Sequence, residues 1–461
     1  MPAIYIFPIV ILLAILGYTA GKRRSLAQYG DRTAGESYAP RGYFGMYVAL
    51  WCGIPALILS VAWLIFEPVI VNGLVLSGLP DAFTEGLSGD QIALLESEIE
   101  NLSSGVVFGQ PTPEVMAAAE RYGELRQIAR AAMFTAVIAI GLGAMSFAYS
   151  RVRPSLRVRE RVEGTIMVIL VLCSIVAILT TIGIVLSLFI ESLLFFEQVS
   201  PLDFLFGLNW EPQTAIRADQ VAAAGSFGAV PVFAGTLLIS AIAMLVAVPI
   251  GLMSAIYLAE YAPSAVRSAA KPVVEMLAGI PTIVYGFFAV LTIAPLFREM
   301  GVTLGLNVAA NSALAAGVVM GVMIIPFVSS LSDDAITAVP RSLRDGAAAL
   351  GSTRSETIVQ VIFPAALPGI VGGILLATSR AIGETMIVVM AAGLTANLTA
   401  NPFEGVTTVT VQIVTLLIGD TAFDSPKTLS AFALGLVLFL ITLCLNIVAL
   451  RITQKYREKY D

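Results

Sequence analysis

Histidine is absent from all 461 residues, and with it goes every mechanism that needs an imidazole, from Ser-His-Asp triads to His-ligated zinc or haem. Charge is scarce too. Only 13% of residues are charged and 57% are hydrophobic, against roughly 25% charged in a soluble globular domain. A soluble fold of this size could not hide so much apolar surface. Cys52, Cys173 and Cys444 lie far apart inside apolar runs, with no C-x-x-C spacing, so they neither staple a fold nor bind a metal. No G-x-x-x-x-G-K-[ST] stretch occurs, and Gly141 and Gly143 form only a G-x-G inside an apolar run. The chain therefore has no phosphate-cradling loop with which to use ATP itself. Clustered catalytic groups are lacking, as are internal repeats and low-complexity segments. The sequence calls for no cofactor, metal or nucleic acid.

What is present is apolar length. About nine runs, approximately 3 to 20, 44 to 66, 130 to 150, 164 to 190, 232 to 259, 272 to 297, 311 to 331, 366 to 392 and 429 to 450, are long enough to cross a ~30 Å hydrocarbon core. Runs of this length are helices, because barrel strands would alternate in polarity. The expected fold class is an all-α integral membrane protein of about nine transmembrane helices. Basic residues near the ends of spans orient it. Lys22, Arg23 and Arg24 follow the first span, five arginines from Arg151 to Arg161 precede the fourth, and Arg451, Lys455, Arg457 and Lys459 follow the last. Arg267 and Lys271 lie between the fifth and sixth. An even number of spans separates each basic loop from the next, so all four can face the cytoplasm, with the amino terminus outside and the carboxyl terminus inside. The first span does not read as a secretory signal, because its basic residues come after the apolar run.

The segment from Glu67 to Ala129 then faces outward. It carries Asp81, Glu85, Asp90, Glu96, Glu98, Glu100, Glu114, Glu120 and Glu124 against Arg121 and Arg126. Asp90 to Leu102 is helix-like, Gly105 to Pro111 breaks the helix, and Thr112 followed by Pro113 reads as N-cap and first helical residue. The second helix of this pair can run unbroken into the third span. A solvated external helical hairpin is one reading and a docking surface the other.

Two blocks follow: residues 1 to 160 form a membrane extension of three spans with the acidic hairpin (about 67 to 129), and residues 161 to 461 form a six-span core. Within the core, Ser332 to Pro364 joins the seventh and eighth spans. Pro340 suits a first helical position, Gly351 is placed to end a helix in the left-handed conformation, and Thr353 with Glu356 forms a T-x-x-E capping box for a second short helix that Pro364 would stop. This helix-glycine-helix-proline elbow can carry a push from a cytoplasmic partner. An amphipathic connector lying on the membrane is the alternative.

Asp345-Gly346-Ala347 with Gly351, then Val361-Ile362-Phe363-Pro364, resembles the EAA loop of bacterial ABC-importer permeases, with Asp for Glu, Gly for the first Ala, Val for Ile and Phe for Leu. Gly235-Thr236-Leu237-Leu238, Val248-Pro249-Ile250-Gly251 and Tyr257-Leu258-Ala259-Glu260-Tyr261 resemble the start of the six-span permease core, and Glu275 to Thr282 with Tyr285-Gly286 and Ser379-Arg380-Ala381-Ile382-Gly383-Glu384-Thr385-Met386 resemble the permeases of the phosphate-specific transport (Pst) system. The last, running to Ala391-Ala392-Gly393, is more similar to the PstC-type subunit than to its PstA-type partner. The resemblance covers roughly residues 161 to 455 and leaves the first block unexplained. It implies a type I permease core in the inner membrane, working with a PstA-type second permease, PstB-type ATPase subunits and a periplasmic PstS-type phosphate-binding protein. It places ATPase coupling on Arg344, Asp345, Gly346, Ala347, Gly351 and Pro364. A permease for sulfate or molybdate shares the architecture, and a stand-alone secondary transporter or channel is the reading from another class.

Arg380 and Glu384 fall inside the run from 366 to 392, where a charge costs at least ~2.5 to 3.5 kcal/mol unless it faces protein or water. At i, i+4 they would share a helix face and could neutralise each other. The alternatives are a purely structural ion pair and a substrate pathway in which Arg380 meets the anion while Glu384 holds Arg380 in place and moderates its attraction; an arginine fork matches phosphate oxygens and keeps its charge at every working pH. Glu275 reads as a first-turn acid favoured by the helix dipole. Pro249, Pro281 and Pro326 fall within spans and would kink them.

Overall fold

The computed structural model describes residues 5–29, 40–80, 89–106, 112–153, 156–212, 225–418 and 425–456. Asp81, Glu85, Arg457 and Lys459, residues 107–111 of the expected hairpin break, and the Asp90 side chain lie outside the described residues. Among the described residues nine helical stretches are long and apolar enough to cross a membrane. The chain divides into two compact units, Met1–Leu179 and Thr180–Asp461.

The first unit is built from α1 (Ile6–Tyr29), α2 (Arg41–Leu76), α3 (Gly89–Ser103) and α4 (Pro113–Arg151), with the first half of α5 (Val158–Gln198). Glycines let α1 and α2 touch: a Cβ on Gly21 would meet the Phe44 carbonyl at 2.6 Å, and one on Gly45 the Tyr18 carbonyl at 2.7 Å. Small residues serve this purpose in membranes, where no hydrophobic drive brings helices together. Thr112 is the N-cap of α4 with Pro113 inside the first turn, and the helix continues for 39 residues without a break. The α3–α4 pair closes on a core of Val75, Ile99, Val115, Ala119 and Tyr122, with Arg126 donating to Glu100 at 2.8 Å across it. The α3–α4 hairpin thus has its own apolar interior.

In the second unit, α6 (Pro201–Phe206) precedes a short antiparallel hairpin of β1 (Trp210–Glu211) and β2 (Ser226–Phe227) that sets Trp210 opposite Phe227. These two rings pack edge-on with Phe195 and Phe204. The core proper consists of α7 (Val230–Ile256), α8 (Ser264–Ala278), α9 (Thr282–Phe288), α10 (Ala294–Thr303), α11 (Ala313–Thr337), α12 (Arg341–Ala349), α13 (Arg354–Thr357), α14 (Phe363–Ile382), α15 (Met386–Ala391), α16 (Val409–Leu417) and α17 (Pro426–Tyr456). Its centre is α11 against α7, where Gly317 and Gly321 admit Ile242 and Val246, and Gly251 admits Val328, all closer than a Cβ would allow.

Two spans differ from the sequence reading. The run from 272 to 297 is not one helix. α8 ends at Ala278, Pro281 is the N-cap of α9, and the membrane stretch is Thr282–Leu304. Pro281 therefore lies at a break rather than inside a span, and Glu275 sits near the end of α8 instead of in a first turn. Proline disfavours helical conformation in the residue before it, and Gly279 two positions earlier completes the interruption. The Tyr285 hydroxyl spans the gap, donating to the Leu277 carbonyl at 2.8 Å. The run from 366 to 392 is likewise replaced by a span over Arg354–Ile382, then a break and the short α15.

Candidate functional site

Among the described residues of the second unit, charge enters apolar surroundings at several places, and the first is the break after α14. Gly383 caps α14, and α15 starts at Met386. Arg380 and Glu384 consequently do not share a helix face, and the expected i, i+4 neutralisation does not form: among the described residues neither makes an ion pair. Glu384 turns back on its own chain instead. Its carboxylate accepts from the Thr385 and Met386 backbone N–H groups, each at 3.1 Å, and its carbonyl accepts from the Thr410 hydroxyl at 2.9 Å. Arg380 occupies the last turn of α14, where the helix dipole favours a cation. Its guanidinium is exposed and lies 5.8 Å from the centroid of the Phe327 ring of α11.

Non-helical backbone beside a membrane helix needs partners for its polar groups, and here protein supplies several. The segment after α15 is stitched to the start of α11 by Ser312 N–H to the Ala391 carbonyl at 3.1 Å, Ala313 N–H to Glu404 at 3.0 Å and Leu314 N–H to Pro402 at 2.8 Å. Gln412 holds the other side, donating to the Leu394 carbonyl at 2.9 Å while accepting from the Trp210 indole at 2.9 Å. The break is held by backbone and side-chain hydrogen bonds, and beside it Arg380 has no ion-pair partner among the described residues.

The second place is the elbow. The helix α12 has Pro340 as N-cap rather than as its first helical residue. It ends in a Schellman closure, with Gly351 N–H on the Ala348 carbonyl at 3.0 Å and Ser352 N–H on the Ala347 carbonyl at 3.1 Å. Gly351 has φ +85°, a conformation in which a Cβ would clash with the backbone. Thr353 and Glu356 form the full capping box. Pro364 does not stop the second helix: α13 passes through a π-helical segment, Ile358–Ile362, directly into α14. The wider π-turn, closed by Phe363 N–H on the Ile358 carbonyl, absorbs the proline that a regular α-helix could not accommodate.

Of the expected coupling residues, Asp345, Gly346, Gly351 and Pro364 are exposed, and so is Leu350, at 89%. Ala347 is buried. Arg344 faces inward, donating to Glu260 and, at 2.8 Å, to the Ile336 carbonyl. Glu260 belongs to a π-segment, Tyr257–Tyr261, that extends α7, and it is only 8% exposed. Arg354 donates to the Glu260 backbone carbonyl and lies over the Tyr261 ring at 5.3 Å. Under these contacts Ala255, Ile336, Val339, Ile358, Ile362 and Ile370 form one apolar cluster. The elbow is clamped to the carboxyl-terminal end of α7 by both charge and packing.

A further buried carboxylate was missed by sequence reasoning. Asp333, on the last turns of α11, accepts from Arg267 at 3.0 and 3.2 Å and from Lys271 at 2.7 Å, both on α8. That hydrogen bond raises the Lys271 ammonium above its ordinary range, against a smaller opposing effect of burial. The signal was in the sequence, since Asp333-Asp334 closes an apolar run that has basic residues four apart, Arg267 and Lys271, available to meet it.

Comparison with known proteins comes down on both units. A family described as "Phosphate ATP-binding cassette transporter" matches residues 7–180, and one described as "Binding-protein-dependent transport system inner membrane component" matches residues 247–458. The probable ABC transporter permease protein YqgH of Bacillus subtilis is 34% identical over 288 residues, which cover 61% of this chain and 87% of that protein. The phosphate transport system permease protein PstC of Mesorhizobium japonicum is 32% identical over 287 residues, covering 58% and 82%. PstC 1 of Mycobacterium tuberculosis is 31% identical over 277 residues, covering 55% and 81%.

Proposed function

The chain belongs to the family of PstC-type permeases of phosphate ABC importers, and on that premise we propose how its residues divide the work of transport. It is a multi-pass inner-membrane permease subunit for phosphate, a transport component rather than an enzyme, and it works with a separate ATPase and a binding protein. In our reading those partners are PstB-type ATPase subunits and a PstS-type phosphate-binding protein, with a PstA-type second permease completing the pore. Residues 1 to 160 act as a membrane extension and residues 161 to 461 as the permease core. The basic loops face the cytoplasm, so the amino terminus and the acidic hairpin lie outside and the carboxyl terminus inside.

Arg380 is the residue that meets phosphate. The observation that carries this is its position: an exposed guanidinium without a carboxylate partner, in the last turn before a break in a membrane helix. Such breaks are where transporters place substrate sites, and a guanidinium fork matches phosphate oxygens. Glu384 shapes the break by capping α15 and keeps a negative charge close to the path, which opposes overly tight retention of an anion. At the other end, Asp345, Gly346 and Leu350 face the ATPase, whereas Arg344, Ala347, Gly351 and Pro364 give the elbow its shape. ATP-driven closure of the ATPase pair moves the elbow, and Glu260 passes that movement to α7.

Uptake of labelled phosphate in cells carrying Arg380→Ala at normal membrane levels should vanish, and Arg380→Lys should restore only part of it. A wild-type rate in the alanine variant sinks the role assigned to Arg380. Unlabelled sulfate and molybdate are expected to leave the wild-type signal unchanged, and competition by either would reassign the cargo.

A further inference from the structure

The unit Met1–Leu179 carries a groove for which the transport reading has no use. It measures about 240 Å³ and runs between α2 and α5, with Tyr47, Trp51 and Ile54 on one side and Val162 and Thr165 on the other. Tyr47 and Val162 are buried, while Trp51 is 43% exposed and packs 5.5 Å from the Phe147 ring of α4. On α2 the lining runs from Tyr47 to Pro55, a rise of about 12 Å at 1.5 Å per residue. That is less than half of a ~30 Å hydrocarbon core, so the groove has the depth of a single leaflet.

Its shallow end is basic. The α4 helix that supplies Phe147 finishes at Arg151, whose guanidinium lies 4.7 Å from that ring. On α5, Arg161 stands one turn before Thr165, whose hydroxyl donates to the Arg161 carbonyl at 2.8 Å. The carboxylates of this region are already engaged. Glu163 accepts from Arg159 at 2.7 Å and from the Tyr43 hydroxyl at 3.2 Å, and Glu160 lies 3.7 Å from Arg157. Arg151 and Arg161 have no carboxylate partner among the described residues.

We propose that this groove binds an anionic phospholipid of the phosphatidylglycerol type, one acyl chain lying along Trp51 and Ile54 and the phosphate meeting Arg151 and Arg161. Apolar complementarity alone would accept any lipid. Charge complementarity selects the anionic one, because a zwitterionic headgroup brings its own cation to a cluster that already has an excess of them. Basic clusters at the inner ends of spans attract anionic headgroups, and a guanidinium fork fits a phosphodiester. The inner-leaflet assignment rests on the topology proposed above; the lipid class does not. The site gives the amino-terminal unit a role of its own, fixing the permease to anionic lipid.

The test uses the full chain in nanodiscs with Trp51 as its only tryptophan, through Trp63→Phe and Trp210→Phe, the sequence holding three. Phosphatidylglycerol with brominated acyl chains should quench Trp51 at about 25-fold lower mole fraction than brominated phosphatidylcholine, about fivefold for each arginine. Arg151→Ala with Arg161→Ala should erase the difference, and the paired lysine variant should keep most of it. Millimolar inorganic phosphate should leave the quenching unchanged. Equal quenching by the two lipids overturns the proposal, and that comparison needs no arginine variant to fold. So does a preference that survives the double alanine change, and displacement by inorganic phosphate would assign the arginines to a free ion instead.

Discussion

At the scale of single residues, the buried carboxylates Glu260 and Asp333 are each met by basic side chains, whereas Arg380, the residue assigned to substrate, has no ion-pair partner among the described residues. Glu260 illustrates the energetics. Its carboxylate is almost fully buried and is met by Arg344, so removing the arginine leaves an uncompensated charge in an apolar surrounding. Arg344→Ala should therefore destabilise the permease by about 3 kcal/mol. Adding Glu260→Gln should return most of that loss, because the amide needs no counter-ion. A double-mutant cycle of thermal unfolding in detergent measures the coupling, and additive effects would show that the pair is not clamping the elbow. Arg344 and Glu260 both stand in family-like motifs, so their importance was legible, but their contact was not: 84 residues separate them, and no local periodicity reports a partner at that distance. Arg380 and Glu384 mark the opposite failure. Their spacing is right for a helical pair, and the helix ends between them at Gly383, a common helix-terminating residue whose effect at this position the length of the apolar run concealed.

At the scale of elements, the sequence shows where helices start and stop better than how they are joined. The capping box at Thr353 and the left-handed Gly351 were readable because each depends on residues within five positions of one another. Pro364 was misread as a stop because proline excludes an α-turn, whereas the π-segment Ile358–Ile362 lets the chain pass it and continue as one membrane helix. The elbow is consequently a lever whose second arm is rigidly continuous with α14. Two substitutions separate its shape from its contacts. Gly351→Ala forces a Cβ into φ +85° and should cost about 1 to 2 kcal/mol, lowering the melting temperature and weakening transport together. Leu350→Ala removes a side chain that is 89% exposed, so melting should not change, while co-purification of the ATPase subunit should fall. Melting that drops as far for Leu350→Ala as for Gly351→Ala would mean that Leu350 packs within the elbow rather than against a partner.

At the scale of the whole molecule, the number of spans was legible because a ~30 Å apolar layer demands length, and length is counted directly. The sides on which loops lie follow from a different rule, the bias of Lys and Arg toward the cytoplasm, and this can be tested on the full chain. With Cys52, Cys173 and Cys444 replaced by serine or alanine, a single cysteine at Ser97 on the exposed side of α3 and another, in a separate variant, at Ser342 on the exposed side of α12 report the two faces. A membrane-impermeant maleimide added to spheroplasts should label the Ser97→Cys protein at once and the Ser342→Cys protein only after lysis. The reverse pattern would invert the topology. It would place the elbow outside, where no ATPase can reach it, and the basic end of the Arg151–Arg161 region in the outer leaflet. Labelling of both before lysis would mean that an even number of spans, rather than five, separates the hairpin from α12. In that case one of the five apolar helices between the two positions does not cross.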